Sequence, residues 1–495
     1  MIISPDKKDF STILNILGRL ILGLSFFMVI PLLVAFFKNE TPSFFDFLIS
    51  FSLTATLGLL LLVIFPVKKH VGWVHAFFSV TIGWLFFSLL GAVPLYLSNH
   101  FLSFTDAWFE AMSGFTTTGL TLINDLDHLS LSQNTWRHLT MFIGGQGIIL
   151  ASLSILTKAR SVALGFYIGE AREEKILPNV VGTARFIWKV SFVYLIIGVC
   201  TYFTILHDLG LSLNRSAFHA FWIFFASFDT GGFAPQAQNI HYYHSFYLEI
   251  ATMIFMILGA MNFNLHFWVW NKSKKELFKN FEIKTFFFTF SSLLLLLYFS
   301  LKSSGNGLFL FRRGFYQLLS AHTGCGFTNL SGVGLNHFPM PTLLFIIFAM
   351  MIGGGVCSTT GGIKLMRVGI TFKTFFMEIK RWMMPFNAVY KERLHHLQDL
   401  LISDKRIKNA YIFFFFFIFT YVAGAVVAMF LGNPASLALF ESVSATANVG
   451  LSVGLTNVAM PEILKLVYIV QMWAGRLEFI AIFVTLGFIF SLFKK

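Results

Sequence analysis

Cysteine is nearly absent from this chain: Cys200, Cys325 and Cys357 are its only three. They are dispersed in or beside apolar runs without CxxC spacing, so neither a disulfide framework nor a thiolate metal site is indicated. Charge is sparse as well. Charged residues make up 12% of the 495, and the 23 acids are outnumbered by 36 Lys and Arg. Few carboxylates are left to build an acid–base pair or a divalent-cation cage. An intramembrane enzyme would rest on isolated Glu110, His219 and Glu441, with no triad or paired carboxylates beside them. Long polar stretches are missing too: the longest linkers run to about 30–40 residues, against the 50 or more of a typical domain. Any control by nucleotide must come from another chain.

What fills the chain instead is apolar. Hydrophobic residues make up 56% of it, and 64 residues are phenylalanine; mean hydropathy is +0.74, far from the mix of soluble domains. A bilayer core of about 30 Å needs roughly 20 apolar residues per helix. Ten such spans are predicted, near 13–37, 44–66, 71–97, 136–157, 186–206, 246–270, 285–301, 341–372, 410–432 and 462–492. The first is too long for a cleaved signal peptide, contains Arg19 and lacks a small-residue cleavage site before the second. A formal charge of +13 raises nucleic acid or an anionic partner, so the placement of the cations decides. Starting in the cytoplasm and alternating through ten spans puts 27 of the 36 Lys and Arg on one side: Lys7, Lys8, Lys68, Lys69, those of 158–189, 272–284 and 364–408, and Lys494 and Lys495. The outer side holds Lys38, Arg137, Arg215, Lys302, Arg312 and Arg313. The positive-inside rule therefore predicts cytoplasmic N- and C-termini and makes membrane orientation, not nucleic acid, the reason for the basic excess.

Between certain spans on the outer side lie stretches too short and too polar to cross. Aligned on a glycine they read FTTTGL (115–120), FDTGGF (228–233), HTGCGF (322–327) and TANVGL (446–451), with glycine fifth in all four. A small pair precedes each (Ser113-Gly114, Ala226-Ser227, Ser320-Ala321, Ser444-Ala445), and before that a short helical-looking segment such as TDAWFEAM. The unit of span, short helix, glycine window and span thus occurs four times, with the first two spans outside the repeat. Irregular backbone at membrane depth is tolerated only where protein buries it or it lines a wet cavity. Four windows on one axis can present rings of carbonyls that replace an ion's hydration shell, glycine supplying the backbone angles. Short helices ending at the windows aim their partially negative C-termini there. Carbonyl and hydroxyl oxygens without a carboxylate cage suit a monovalent cation.

The four windows, together with MFIGGQGIIL (141–150), GAMNFNLHF (259–267), IGGGVCSTTGGIK (352–364) and MWAGRLE (472–478), resemble the Trk/Ktr/HKT superfamily of potassium transporters over nearly the whole chain, and most of all its bacterial TrkH/TrkG branch. The resemblance implies an all-α membrane protein with four pseudo-symmetric repeats around one pore and two extra N-terminal helices. It implies K⁺ as the transported ion, with no organic cofactor in this chain. Coordinating oxygens would come from Thr117 and Thr118, Thr230 and Gly231, Gly324 and Cys325, and Asn448 and Val449, just ahead of Gly119, Gly232, Gly326 and Gly450. It further implies a homodimer in the bacterial cytoplasmic membrane, one pore per protomer, docked on a cytoplasmic ring of TrkA-like nucleotide-binding subunits. The domain plan is then 1–70 as a two-helix extension, pore repeats at 71–160, 185–272, 284–373 and 410–495, and a cytoplasmic linker at 374–409. A sodium- and potassium-permeable pathway, or a cation-coupled solute symporter with broken helices, is the alternative; fourfold repetition argues against the symporter, which is usually built from two repeats.

Departures from the repeat carry their own expectations. Asp229 either adds a cation-attracting charge at the mouth or caps its own loop's amides. His322 is assigned to packing or hydrogen bonding, since a protonated imidazole would repel the ion. The eighth span is interrupted by Gly353, Gly354, Gly355, Gly361 and Gly362, with Ser358, Thr359 and Thr360 between them, each glycine disfavouring helix by about 1 kcal/mol. Gly362 is followed by Ile363 and Lys364 rather than Lys and Ser or Thr, so the stretch is no phosphate loop. The resemblance makes it an intramembrane loop obstructing the pore; a kink for close packing is the plainer reading. Arg476 in the last span must face protein or water, with Glu110, Glu441 or Glu478 as partners. The resemblance puts it in the pore below the windows; a tie between helices is the other reading. In the linker, Lys380, Arg381, Lys391 and Arg393 offer a docking surface for the soluble subunit or for lipid headgroups, and His395 and His396 are expected to be solvated.

Overall fold

The computed structural model describes residues 6–69, 71–123, 125–147, 180–302, 307–330, 334–385, 390 and 392–493. The inner end of the fourth expected span (148–157), the cations between Lys158 and Lys175, Lys391, Lys494 and Lys495 lie outside the described residues.

The chain is helical almost throughout. Helix α1 (Lys7–Phe37) opens on a reciprocal cap in which Asp6 accepts from Asp9 N and Asp9 accepts from Asp6 N. It pairs with α2 (Thr41–Ile64). The two cross at Gly18 and Gly58, where a Cβ on either would run into the other's backbone. Four units follow. The first has α3 (Trp73–Leu97), the short α4 (Phe104–Phe115) and α5 (Leu131–Gln146). The second has α6 (Val180–Asp208), the short α7 (Leu213–Phe228), α8 (Phe246–Ala260) and α9 (Phe263–Asn271). After a single turn, α10 (Glu276–Lys279), the third comprises α11 (Phe281–Lys302), the short α12 (Gly307–His322), α13 (Met340–Ile352) and α14 (Leu365–Trp382). The fourth comprises α15 (Asp404–Phe430), the short α16 (Ala435–Thr446), α17 (Glu462–Arg476) and α18 (Ile480–Leu492).

Packing makes the units a ring. The helix after each window packs on the short helix of the next unit: α5 on α7, α8 on α12, α13 on α16, and α17 back on α4. Buried Lys465 of α17 reaches Asp106 of α4 at 2.5 Å, sealing the last unit to the first. Six described helices are long and apolar enough to cross a membrane.

Two expected spans are not continuous. The run 246–270 bends by 97° between α8 and α9, and the run 462–492 by 104° between α17 and α18. At the first bend Asn262 caps the new helix, its Oδ1 accepting from Asn264 N at 2.8 Å. At the second, Glu478 and Phe479 both take positive φ. The linker carries secondary structure as well. Arg393–His396 and Gln398–Leu401 form an antiparallel hairpin turning at Leu397, and its Leu394 and Ile402 bury against Ile370 with Phe281 alongside.

Candidate functional site: four windows on one axis

Every short helix ends at the first residue of its window: Phe115, Phe228, His322 and Thr446. From there the four windows follow the same path. The fourth residue's N–H returns to the helix two residues before the window, with Thr118 to Ser113, Gly231 to Ala226, Cys325 to Ser320 and Val449 to Ser444 at 2.8–3.0 Å. Positive φ occurs at the third and fifth positions of each: Thr117 and Gly119, Thr230 and Gly232, Gly324 and Gly326, Asn448 and Gly450. Threonine is β-branched and strongly disfavours that region, so Thr117 and Thr230 hold strained backbone. A Cβ on Gly119 would collide with the carbonyl oxygen of Gly231, on Gly232 with that of Cys325, on Gly326 with that of Val449, and on Gly450 with that of Thr118. The fourth-position carbonyls therefore close a ring, each against the glycine of the neighbouring unit.

On the side away from the 353–364 break the ring is held by polar side chains nine residues before three of the glycines. Buried Glu110 takes Thr121 Oγ1 at 2.9 Å and Leu122 N at 3.0 Å, and pairs with buried Arg137 at 2.7 Å. Glu441 takes Ser452 Oγ at 2.5 Å, Val453 N at 3.0 Å and Thr456 Oγ1 at 3.0 Å. Gln317 braces its loop from the donor side, its Nε2 donating to Thr328 Oγ1 at 2.9 Å and Asn329 Oδ1 at 3.0 Å. The second unit carries Ile223 at this place. The carboxylates Glu110 and Glu441 thus brace window loops, and His219 bonds Tyr243 OH at 2.7 Å.

Below the ring lies the 353–364 break. Thr359 Oγ1 donates to Gly259 O at 3.0 Å or Phe228 O at 3.2 Å and sits 3.1 Å from Thr230 Oγ1. Its carbonyl accepts from Arg476 Nη1 at 2.8 Å and lies 3.5 Å from Thr117 Oγ1. A Cβ on Gly361 would strike Ala447 O. One segment of the third unit thereby touches the other three beneath their windows. Ser358 and Thr360 hydroxyls meet at 2.9 Å, and Thr360 Oγ1 accepts from Gly354 N at 3.1 Å. Lys364 turns back on Thr360 O within the same turn. Gly353 packs its Cα against Gly362, and buried Gly355 donates to Ala260 O at 2.9 Å.

Arg476 meets this segment, and none of the expected glutamates is its hydrogen-bond partner. Besides Thr359 O, its Nη2 donates to Gly144 O at 2.6 Å. Glu110 and Glu441 serve the window loops, and Glu478 pairs with Arg367. Asp229 is wholly buried, accepting from Gln146 Nε2 at 2.6 Å, rather than at the mouth. Gln146 in turn accepts from Ser191 Oγ at 2.7 Å. His322 bonds Thr289 Oγ1 at 2.8 Å and wedges against Phe286 and Phe290.

In the linker His396 is buried, not solvated, with Nδ1 4.0 Å from Glu282. His395 bonds Asp399 at 2.7 Å and Glu276 at 3.2 Å, and those bonds raise its pKa, Asp399 foremost. Lys380 is engaged by Tyr390 and Glu392, both at 3.0 Å, and Arg381 by Glu378.

The model of the TrkH family of cation transport proteins matches residues 43–303 and 309–490. An uncharacterised cation transporter of Methanocaldococcus jannaschii is 32% identical, covering 97% of this chain and 95% of its own. The Trk system potassium uptake protein TrkH of Escherichia coli K12 is 28% identical over 95% of this chain and 96% of its own. The crystal structure of the potassium transporter TrkH from Vibrio parahaemolyticus superimposes with a TM-score of 0.82 at 25% identity, over 96% of this chain and 98% of that one. With its ring of windows and its family match along most of its length, the chain belongs to the TrkH family of cation transport proteins.

Proposed function

We propose that this protein takes up K⁺ across the bacterial cytoplasmic membrane through its four windows, which act as a pseudo-fourfold selectivity filter. The observation that carries the reading is the ring of fourth-position carbonyls of Thr118, Gly231, Cys325 and Val449, each against a neighbouring glycine. Such a ring offers oxygen from four sides without any carboxylate, the donor set a monovalent ion exchanges quickly. The helix C-termini of α4, α7, α12 and α16 add negative potential at the same level. Thr117, Thr230, Gly324 and Asn448 supply the layer beneath. The potassium transporters named among its relatives support K⁺ as the ion.

The 353–362 segment is the gate in this reading, because it sits beneath the windows and contacts all the other units. Arg476 fixes it by binding Thr359 O and sets a positive charge in the path, which retards cations while the segment stays in place. Regulation comes from a TrkA-like nucleotide-binding subunit on the cytoplasmic face, shared by a homodimer, with the basic linker as its contact. Coupling of this kind requires the subunit to bind open and closed forms with different affinity. Rb⁺ and Na⁺ fluxes through the purified protein in liposomes test the function: Rb⁺ flux well above Na⁺ flux is expected, and equal fluxes would refute a potassium filter.

A further inference from the structure

We propose that Glu282 is the positioning residue that latches the cytoplasmic root of the gate, and that the 393–401 hairpin is seated on that latch through His396. The inference rests on the reading of 353–362 as the gate.

Glu282 is the second residue of α11 and is buried. Its Oε1 accepts from Val356 N at 2.7 Å, and its Oε2 from Asn262 Nδ2 at 3.2 Å. The His396 ring lies 4.0 Å from Oε2. Three segments far apart in sequence, at 262, 356 and 396, therefore converge on one carboxylate. A buried carboxylate is costly unless its oxygens are satisfied, so Val356 N and Asn262 Nδ2 are held in place by the charge they satisfy, with the His396 ring packed alongside.

The convergence has a direction. Around Val356 the root of the gate is tied to the bend of the second unit, with Gly355 N on Ala260 O at 2.9 Å and Phe263 N on Cys357 O at 3.3 Å. Three residues further along, Thr359 carries the contacts beneath the windows. Loosening Glu282 frees the root without touching the fourth-position carbonyls, so flux changes and selectivity does not. On the other side the hairpin is attached beside the same helix start: Glu276 accepts from Leu397 N at 3.1 Å and from His395 at 3.2 Å, and Leu394 packs near Phe281. A pull on the linker moves His396 relative to Glu282 before it moves anything in the pore.

The test uses full-length protein in liposomes, with Rb⁺ flux and hydrogen exchange of the 353–364 stretch as readouts and a gate-shortened protein as reference. Glu282→Ala should raise basal Rb⁺ flux several-fold at unchanged Rb⁺/Na⁺ ratio and speed exchange at Val356. Glu282→Gln keeps an acceptor for Val356 and should fall between Ala and the parent. His396→Ala should move both readouts the same way by less, and add nothing to Glu282→Ala. If the shortened protein conducts faster while folded Glu282→Ala keeps parental flux, the latch is refuted and the gate stands. If neither conducts faster, the gate falls and the latch with it. Should Glu282→Ala fail to fold, parental flux and exchange in both Glu282→Gln and His396→Ala refute the latch.

Discussion

The windows and the segments beneath them obey different rules. At the windows the four units are nearly interchangeable: the same returning hydrogen bond and the same two left-handed positions occur in sequences as unlike as FDTGGF and TANVGL. Beneath them the units part company, with bends of 97° in the second and 104° in the fourth and the 353–364 break in the third. An ion bound on the axis is shared equally by four walls, so its oxygens must match. A blocking segment needs only one source, and a second copy would compete for the same space. On the proposed reading, symmetry is kept where the ion is shared and abandoned where a single segment crosses the path.

Breaking the symmetric half should have the largest effect. Gly119→Ser places a side chain where the Gly231 carbonyl now lies, and the K⁺ over Na⁺ flux ratio should drop on the order of tenfold, about 1.4 kcal/mol in relative barrier. An unchanged ratio would show that Gly119 does not line the ion's path. Shortening 353–362 alters only the asymmetric half and should raise Rb⁺ flux while leaving the K⁺ to Rb⁺ preference intact; a folded protein that conducts no faster would make the segment a packing kink. A third change sharpens the contrast within the windows. Glu441→Ala leaves several buried donors of the fourth loop without an acceptor, at about 1–3 kcal/mol for each fully buried group, and should lower thermal stability. Ile223→Val at the matching place of the second unit should cost about 0.5–1.5 kcal/mol. Equal losses in a thermal-unfolding assay would mean that Glu441 does not brace its loop.

Smaller effects belong to the linker. Reversing Lys380, Arg381, Lys391 and Arg393 to glutamate should weaken co-purification of the soluble subunit; undiminished capture, with nucleotide still changing flux, would remove this linker from the interface. Because Glu392 and Glu378 already engage two of these cations, the loss should be partial. The smallest effect concerns His395. Its pKa is raised in the folded hairpin by Asp399 and Glu276, so its contribution is complete below the ordinary value of about 6.5 and fades as pH rises through the raised one. Hydrogen exchange over 393–401 should accelerate across that window, and His395→Gln should flatten the dependence.

The windows were legible in the sequence because glycine at one fixed place survives in each unit, and the spans because apolar runs have no substitute in a bilayer. The residues that brace the windows were not: Glu110 and Glu441 accept, Gln317 donates and Ile223 is apolar at one shared position, and the polar three find their partners eleven or more residues away. The bends were hidden for another reason. Met261–Asn262 and Leu477–Phe479 interrupt hydrogen bonding without interrupting hydropathy, so a composition window runs straight across them. In the linker the hairpin turns on Leu397 at φ 61°, a residue type that announces no turn, and the burial of His396 follows from that turn.

The ring joins its last unit to its first: Gly450 rests on Thr118 O, Asn448 Nδ2 reaches Thr118 Oγ1 at 2.9 Å, and Lys465 reaches Asp106. During synthesis the first window emerges more than three hundred residues before the partner that completes it. Until then the growing chain holds at most three walls of a pathway, with no closed circle of oxygens to strip water from an ion. Coexpressed halves 1–409 and 410–495 should therefore restore Rb⁺ flux that neither half supports alone, and flux from 1–409 by itself would contradict this. On that expectation a ribosome stalled partway would leave an inert stump in the bilayer, and the cell's ion gradient would be exposed to this protein only once its fourth unit had been inserted.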